Sequence, residues 1–203
     1  MKNRRLFAND DHPAGGNIYL QTGRMPPFEF ELLSNAYRET ATVAVQALAR
    51  DQTFIRAGAG STAFRALPVI FLYRQALELL LKSIILTGAC LLDSRDITHE
   101  VVLKEHNFER LRPFIEQVIE DSGLGWNFGV AGLYCLADFR RLLSEFDAFD
   151  PNSTVCRYPV DGAGNPAIEP ERTFNLFNFA EALDQKLEAL SVAPGAVAAM
   201  LDA

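Results

Sequence analysis

Cysteine and histidine are scarce in this 203-residue chain, with three of each. Cys90, Cys135 and Cys156 lie far apart and form no Cys-x-x-Cys pair. That removes a disulfide framework, a zinc ribbon and a paired redox motif, and leaves the reduced thiols of a cytoplasmic protein as the expectation. His99-Glu100 followed by His106 does not make a zinc-protease helix, which needs its two histidines one helical turn apart to reach one ion. No metal and no cofactor are expected. The chain also lacks a Gly-Lys-Ser/Thr phosphate loop and a Gly-x-Ser-x-Gly elbow, so nucleotide hydrolysis and ordinary serine hydrolysis have no support. Gly58-x-Gly60-x-x-Ala63 fits a dinucleotide fingerprint by letter alone. Without flanking strands it reads as an interhelical loop.

Basic charge is also in short supply. Lys and Arg number 19 against 26 Asp and Glu, giving a net charge of −7, which argues against an extended DNA-binding face. No apolar run is long and uncharged enough for a membrane span. Met1-Lys-Asn-Arg-Arg5 is followed by no apolar region, which argues against export. Internal repeats and low-complexity segments are missing. What remains is an ordinary globular composition, 49% hydrophobic with a mean hydropathy of +0.03. A chain of this length suits one domain that buries about 70% of its unfolded surface.

The pattern along the chain is helical. Residues 1–27, with Gly15-Gly16 and Pro26-Pro27, read as a partly disordered arm. Residues 28–192 read as one helical bundle and 193–203 as an apolar tail. Leu33, Tyr37, Thr40, Ala44, Ala47 and Leu48 are spaced as one buried stripe of a first helix. A central helix runs from Phe64 to Leu92, with Pro68 marking its regular start or a small kink. His99 to Asn107 reads as loop. A third helix over 108–119 is split by Pro113 and closed by Ser122-Gly123. A fourth runs from Val130 to Phe146 and stops at Asp150-Pro151. The segment near 155–168 is too rich in Pro and Gly for a helix and reads as an extended or hairpin arm. Leu176, Ala180, Leu183, Leu187 and Leu190 then make a coiled-coil-type seam, started near Thr173 and ended by Pro194-Gly195. The sum is an all-α antiparallel bundle of about five helices.

The central helix carries the feature of most interest. Arg74, Glu78 and Lys82 stand four apart in a segment apolar on almost every face, so they form one charged stripe. Unpaired charge in such a place costs several kcal/mol, about enough to forbid it. The stripe is therefore either a structural ion-pair network or the lining of a functional cleft. Arg157 and Tyr158 in the arm offer the same pair of readings. They pin the arm down, with Arg157 paired to Asp150 or Asp161, or they bring an arginine over the stripe to hold a phosphate or carboxylate.

Tyr73-Arg-Gln-Ala-Leu-Glu-Leu-Leu-Leu-Lys82 resembles the long second helix of HEPN-superfamily proteins, and His106-Asn107-Phe108-Glu109-Arg110-Leu111 is similar to the segment that opens their following helix. Asp150-Pro-Asn-Ser153 with Arg157-Tyr-Pro-Val-Asp161 resembles a loop of some bacterial members. The resemblance spans about residues 30–190 by layout. It implies a helical bundle that often dimerises, in a bacterial toxin–antitoxin, phage-defence or RNA-related setting. Ribonuclease members carry an Arg, four to six intervening residues and then a His that moves a proton without metal. Here Arg140-Arg141 is followed by Phe146 and Asp147 where that His would stand, and the one literal match, Arg5 with His12, lies in the N-terminal arm.

The leading expectation is thus a non-catalytic or degenerate HEPN-like module, a cytoplasmic homodimer that binds a protein or RNA partner. Its candidate binding residues are Arg74, Glu78, Lys82, His106, Arg157 and Tyr158. One alternative is a metal-independent endoribonuclease with a rearranged site, in which Arg74 or Arg141 contacts phosphate, His106 transfers a proton and Glu78 orients a basic partner. Another is a small-anion or nucleotide sensor between the central helix and the 150–165 arm.

Overall fold

Eleven consecutive residues, Ala76 to Leu86, are all buried, the charged ones included. They belong to the central helix of a computed structural model that describes residues 26–56, 59–92, 99–168 and 173–201. Residues 1–25 of the expected N-terminal arm, with Arg5 and His12, lie outside the described residues, and Pro26-Pro27 belong not to an arm but to the first turn of a helix. Those described form eight helical segments: α1 (Pro26–Arg50), α2 (Gln52–Arg56), α3 (Ala59–Leu92), α4 (His99–Lys104), α5 (Phe108–Asp121), α6 (Leu136–Phe149), α7 (Leu176–Leu190) and α8 (Ala193–Leu201). Five of them have 14 residues or more, and no strand occurs among the described residues. The protein is an all-α bundle.

Helix α3 is the axis, packed against α1, α4, α5, α7 and α8. A helix apolar all round has only this solution, since every face must meet another element. Its backbone is already helical from Ala59, so residues 59–62 of the expected loop are the first turn of α3 while Gly58 lies outside the described residues, and the helix passes through Pro68 unbroken. Small residues set the distance to α1. Ser34 donates to the Ala76 carbonyl at 2.7 Å, and Ser83 donates to the Pro27 carbonyl at 2.8 Å.

Burial on α1 does not follow the expected stripe. Ser34, Ala41 and Leu48 face the core with Tyr37, Ala44 and Val45 beside them, whereas Leu33, Thr40 and Ala47 are exposed. Apolar residues stand on both sides of this helix, and periodicity alone favoured residues from both.

Several boundaries also move. Residues 99–104 form a short helix rather than a loop, held by a Glu100–Lys104 pair and the buried Val102. Pro113 does not split α5. The helix starts at Phe108 behind Asn107, whose side chain accepts from the Arg110 N–H at 3.0 Å, and a proline in the second turn removes only one backbone bond. Helix α6 starts at Leu136 instead of Val130, because Gly129 and Gly132 have φ of 75° and 77° and keep the preceding segment irregular. Helix α7 starts at Leu176, capped by Asn175, and all five seam residues are buried.

The apolar tail is a correction of another kind. Residues 193–201 form α8, which packs on α3 with Ala193 and Val197 fully buried. Pro194 opens this helix as well as following the previous one, because a proline in the first turn sacrifices no bond. The expected arm is present as turns. A single antiparallel bridge joins Val160 to Pro166 around a turn whose N–H groups at Ala163 and Asn165 are accepted by Asp161.

Candidate functional site

The α-helical repeat places Arg74, Glu78 and Lys82 on one line of α3, and all three side chains are no more than 3% exposed. Glu78 joins them. Its Oε2 accepts from Arg74 Nη1 at 2.9 Å, and its Oε1 accepts from Lys82 Nζ at 2.9 Å. The remaining donors are met by other parts of the chain. Arg74 Nε reaches the Asp150 carbonyl at 3.1 Å, Arg74 Nη2 the His106 carbonyl at 2.7 Å, and Lys82 Nζ the Leu103 carbonyl at 3.2 Å. The guanidinium also lies 4.6 Å from the centroid of the Phe108 ring. Two cations therefore face two buried carboxylates, Glu78 and Asp150, and every nitrogen of both cations has a partner within the protein. Such a network fixes geometry well and offers no charge to a ligand.

Asp150 was not foreseen as a partner of Arg74. Its Oδ1 accepts from the N–H groups of Thr154 and Val155, at 2.7 and 3.1 Å, so it organises the turn after α6. Its Oδ2 is buried, makes no hydrogen bond among the described residues and lies 3.9 Å from Arg74 Nε. The Asp150-Pro-Asn-Ser153 turn was visible as a helix stop. Its contact across 76 positions with Arg74 was not.

Asp147 was also missed. It accepts from the Phe108 and Glu109 N–H groups at 3.0 and 2.6 Å, a carboxylate set at the start of α5. Burial pushes its carboxyl above the ordinary value even though those N–H groups pull the other way. Nearby, burial pushes the Cys156 thiol up to about 12, which makes it an inert core residue.

His106 is the one expected site residue that joins the network and still meets solvent. Its Nδ1 lies 2.8 Å from Glu78 Oε1, while its side chain is 54% exposed. Glu105 accepts from the His106 and Asn107 N–H groups and fixes the turn between α4 and α5. Burial alone would raise the Glu105 carboxyl, but these N–H groups and Arg110 hold it below its ordinary value.

The other candidates lie outside this cluster. Arg141 is exposed and paired with Asp138 on its own helix. Arg140 makes a two-point contact with Glu116, at 2.8 and 2.7 Å, that ties α6 to α5. Arg157 neither enters the stripe nor forms the expected pair with Asp150 or Asp161. Its guanidinium lies 5.7 Å from the ring centroids of both Phe71 and Tyr158, and its Nε donates to the Ser153 carbonyl. No group of His, Cys, Asp and Glu able to hold a metal occurs among the described residues, nor any helix long and apolar enough to cross a membrane.

No family model, curated protein or solved structure matches this chain.

Proposed function

We propose that the chain is a non-catalytic, HEPN-like module that acts by binding protein, and that its first partner is a second copy engaged through the outer face of α1. The closed Arg74–Glu78–Lys82 network carries this reading. The charge of the central helix is used up internally, which leaves surface recognition as the available activity. Phe28, Leu32 and Val43 are each at least half exposed on α1, with Leu33 beside them, and this face lies opposite the buried one. These apolar side chains share the face with the exposed Glu39 and Gln46, a mixture that an identical helix across a two-fold axis would cover. Protein is favoured over RNA because much of the basic charge is already paired: Arg38 with Asp184 and Glu188, Arg65 with Asp51, Arg112 and Arg140 with Glu116. The bacterial toxin–antitoxin or phage-defence setting implied by the HEPN resemblance belongs to the same proposal.

One observation favours a second reading, the metal-independent endoribonuclease. A buried carboxylate anchors Nδ1 of a half-exposed His106, an arrangement that orients an imidazole for proton transfer. Cleavage of several RNAs by the purified protein, with and without chelator, separates the two. The proposal expects no cleavage in either condition. Chelator-resistant cleavage that disappears in a folded His106→Ala variant would establish the nuclease instead.

A further inference from the structure

A cleft of about 610 Å³ opens between α3, α6 and α7. Ile70, Phe146, Phe149, Phe174, Phe179 and Leu183 provide its apolar lining. The rings brace one another in edge-on or tilted pairs, with centroids 6.1 Å apart for Phe146–Phe179, 6.4 Å for Phe149–Phe174 and 5.8 Å for Phe174–Phe179. Rings held this way give the cleft its shape before anything enters it. The volume falls in the range that accommodates a small organic molecule.

Two charged side chains stand at the cleft, Lys186 and Glu145, and neither has an ion pair among the described residues. They differ in freedom. Glu145 is exposed and keeps its water. Lys186 is half-buried, and its Nζ makes one hydrogen bond, at 3.3 Å, to the Ala182 carbonyl one turn back. Its stem is also constrained. A Cβ at Gly132, where φ is 77°, would come within 3.1 Å of Lys186 Cε, so the missing side chain gives the lysine its path. The ammonium is thus held beside an aromatic-lined cleft with donors to spare.

We propose that this cleft binds a small amphiphile, its apolar body among the phenylalanines and a single anionic head, a carboxylate, on Lys186. An apolar wall rewards any greasy molecule in proportion to the area it removes from water. The ammonium, with one long hydrogen bond of its own, adds the selectivity, because a neutral head leaves it without its strongest partner. This assignment is independent of the α1 surface and of the buried charge network.

The test uses the full chain and a dansyl-labelled medium-chain fatty acid, titrated by fluorescence and displaced by the unlabelled acid or by the alcohol of the same length. The expected result is saturable binding, with the acid displacing the probe about tenfold better than the alcohol. Lys186→Gln should bring the two competitors level. Ala182→Trp, at an exposed position on the cleft wall, should abolish binding while leaving the circular dichroism and Tm unchanged. Lack of saturable binding, equal displacement by acid and alcohol in the unaltered protein, or full binding by the folded Ala182→Trp variant would each overturn the proposal.

Discussion

Glu78 is the residue on which the interior depends, because its two oxygens serve Arg74, Lys82 and His106 together. Glu78→Gln removes the charge and keeps the shape, leaving two buried cations with one carboxylate between them. A broken buried pair costs about 3–5 kcal/mol, while an exposed one contributes about 1 kcal/mol or less. Chemical denaturation should therefore show a large loss for Glu78→Gln. Lys104→Ala should cost almost nothing, since the Glu100–Lys104 pair is about three-quarters exposed on both sides. Equal effects would mean that burial does not govern these charges. At this scale the sequence was half legible. The i, i+4 spacing announced that Arg74, Glu78 and Lys82 meet, and their apolar neighbours announced burial. Whether the stripe was closed depended on Asp150 and on the carbonyls of Leu103 and His106, which no local pattern connects to α3.

Helix α3 meets helix α5 closely at Gly88. A methyl group on Gly88 would collide with both Cγ atoms of Val118, which is itself completely buried. Gly88→Ala should thus destabilise the protein by about 1–3 kcal/mol despite the better helix propensity of alanine. A Val118→Ala background should recover part of that loss by opening the space, and urea midpoints for the two singles and the double would measure it. A stabilising Gly88→Ala would contradict the packing described. Elements with one apolar face were readable from their spacing, as α7 shows with all five seam residues buried. Helix α1 was misread because apolar residues stand on both its sides. Helix α8 was missed because Pro194 is equally suited to follow one helix and to start the next. Gly129 and Gly132 shorten α6 through backbone angles that periodicity does not carry.

The molecule as a whole combines a closed interior with an outer face of α1 that carries exposed apolar side chains. The interior charges fix how α3 sits against α4, α5 and the turn after α6. The outer face of α1 leaves Phe28, Leu32 and Val43 to water unless something covers them. The central claim is that this face pairs with a second copy, and the molar mass in solution tests it most directly. Light scattering across a concentration series should give twice the mass of one chain for the unaltered protein. Val43→Glu, at the most exposed of these three positions, should give the monomer mass with unchanged helicity. A monomer at every concentration without any substitution, or a dimer indifferent to Val43→Glu, would contradict it.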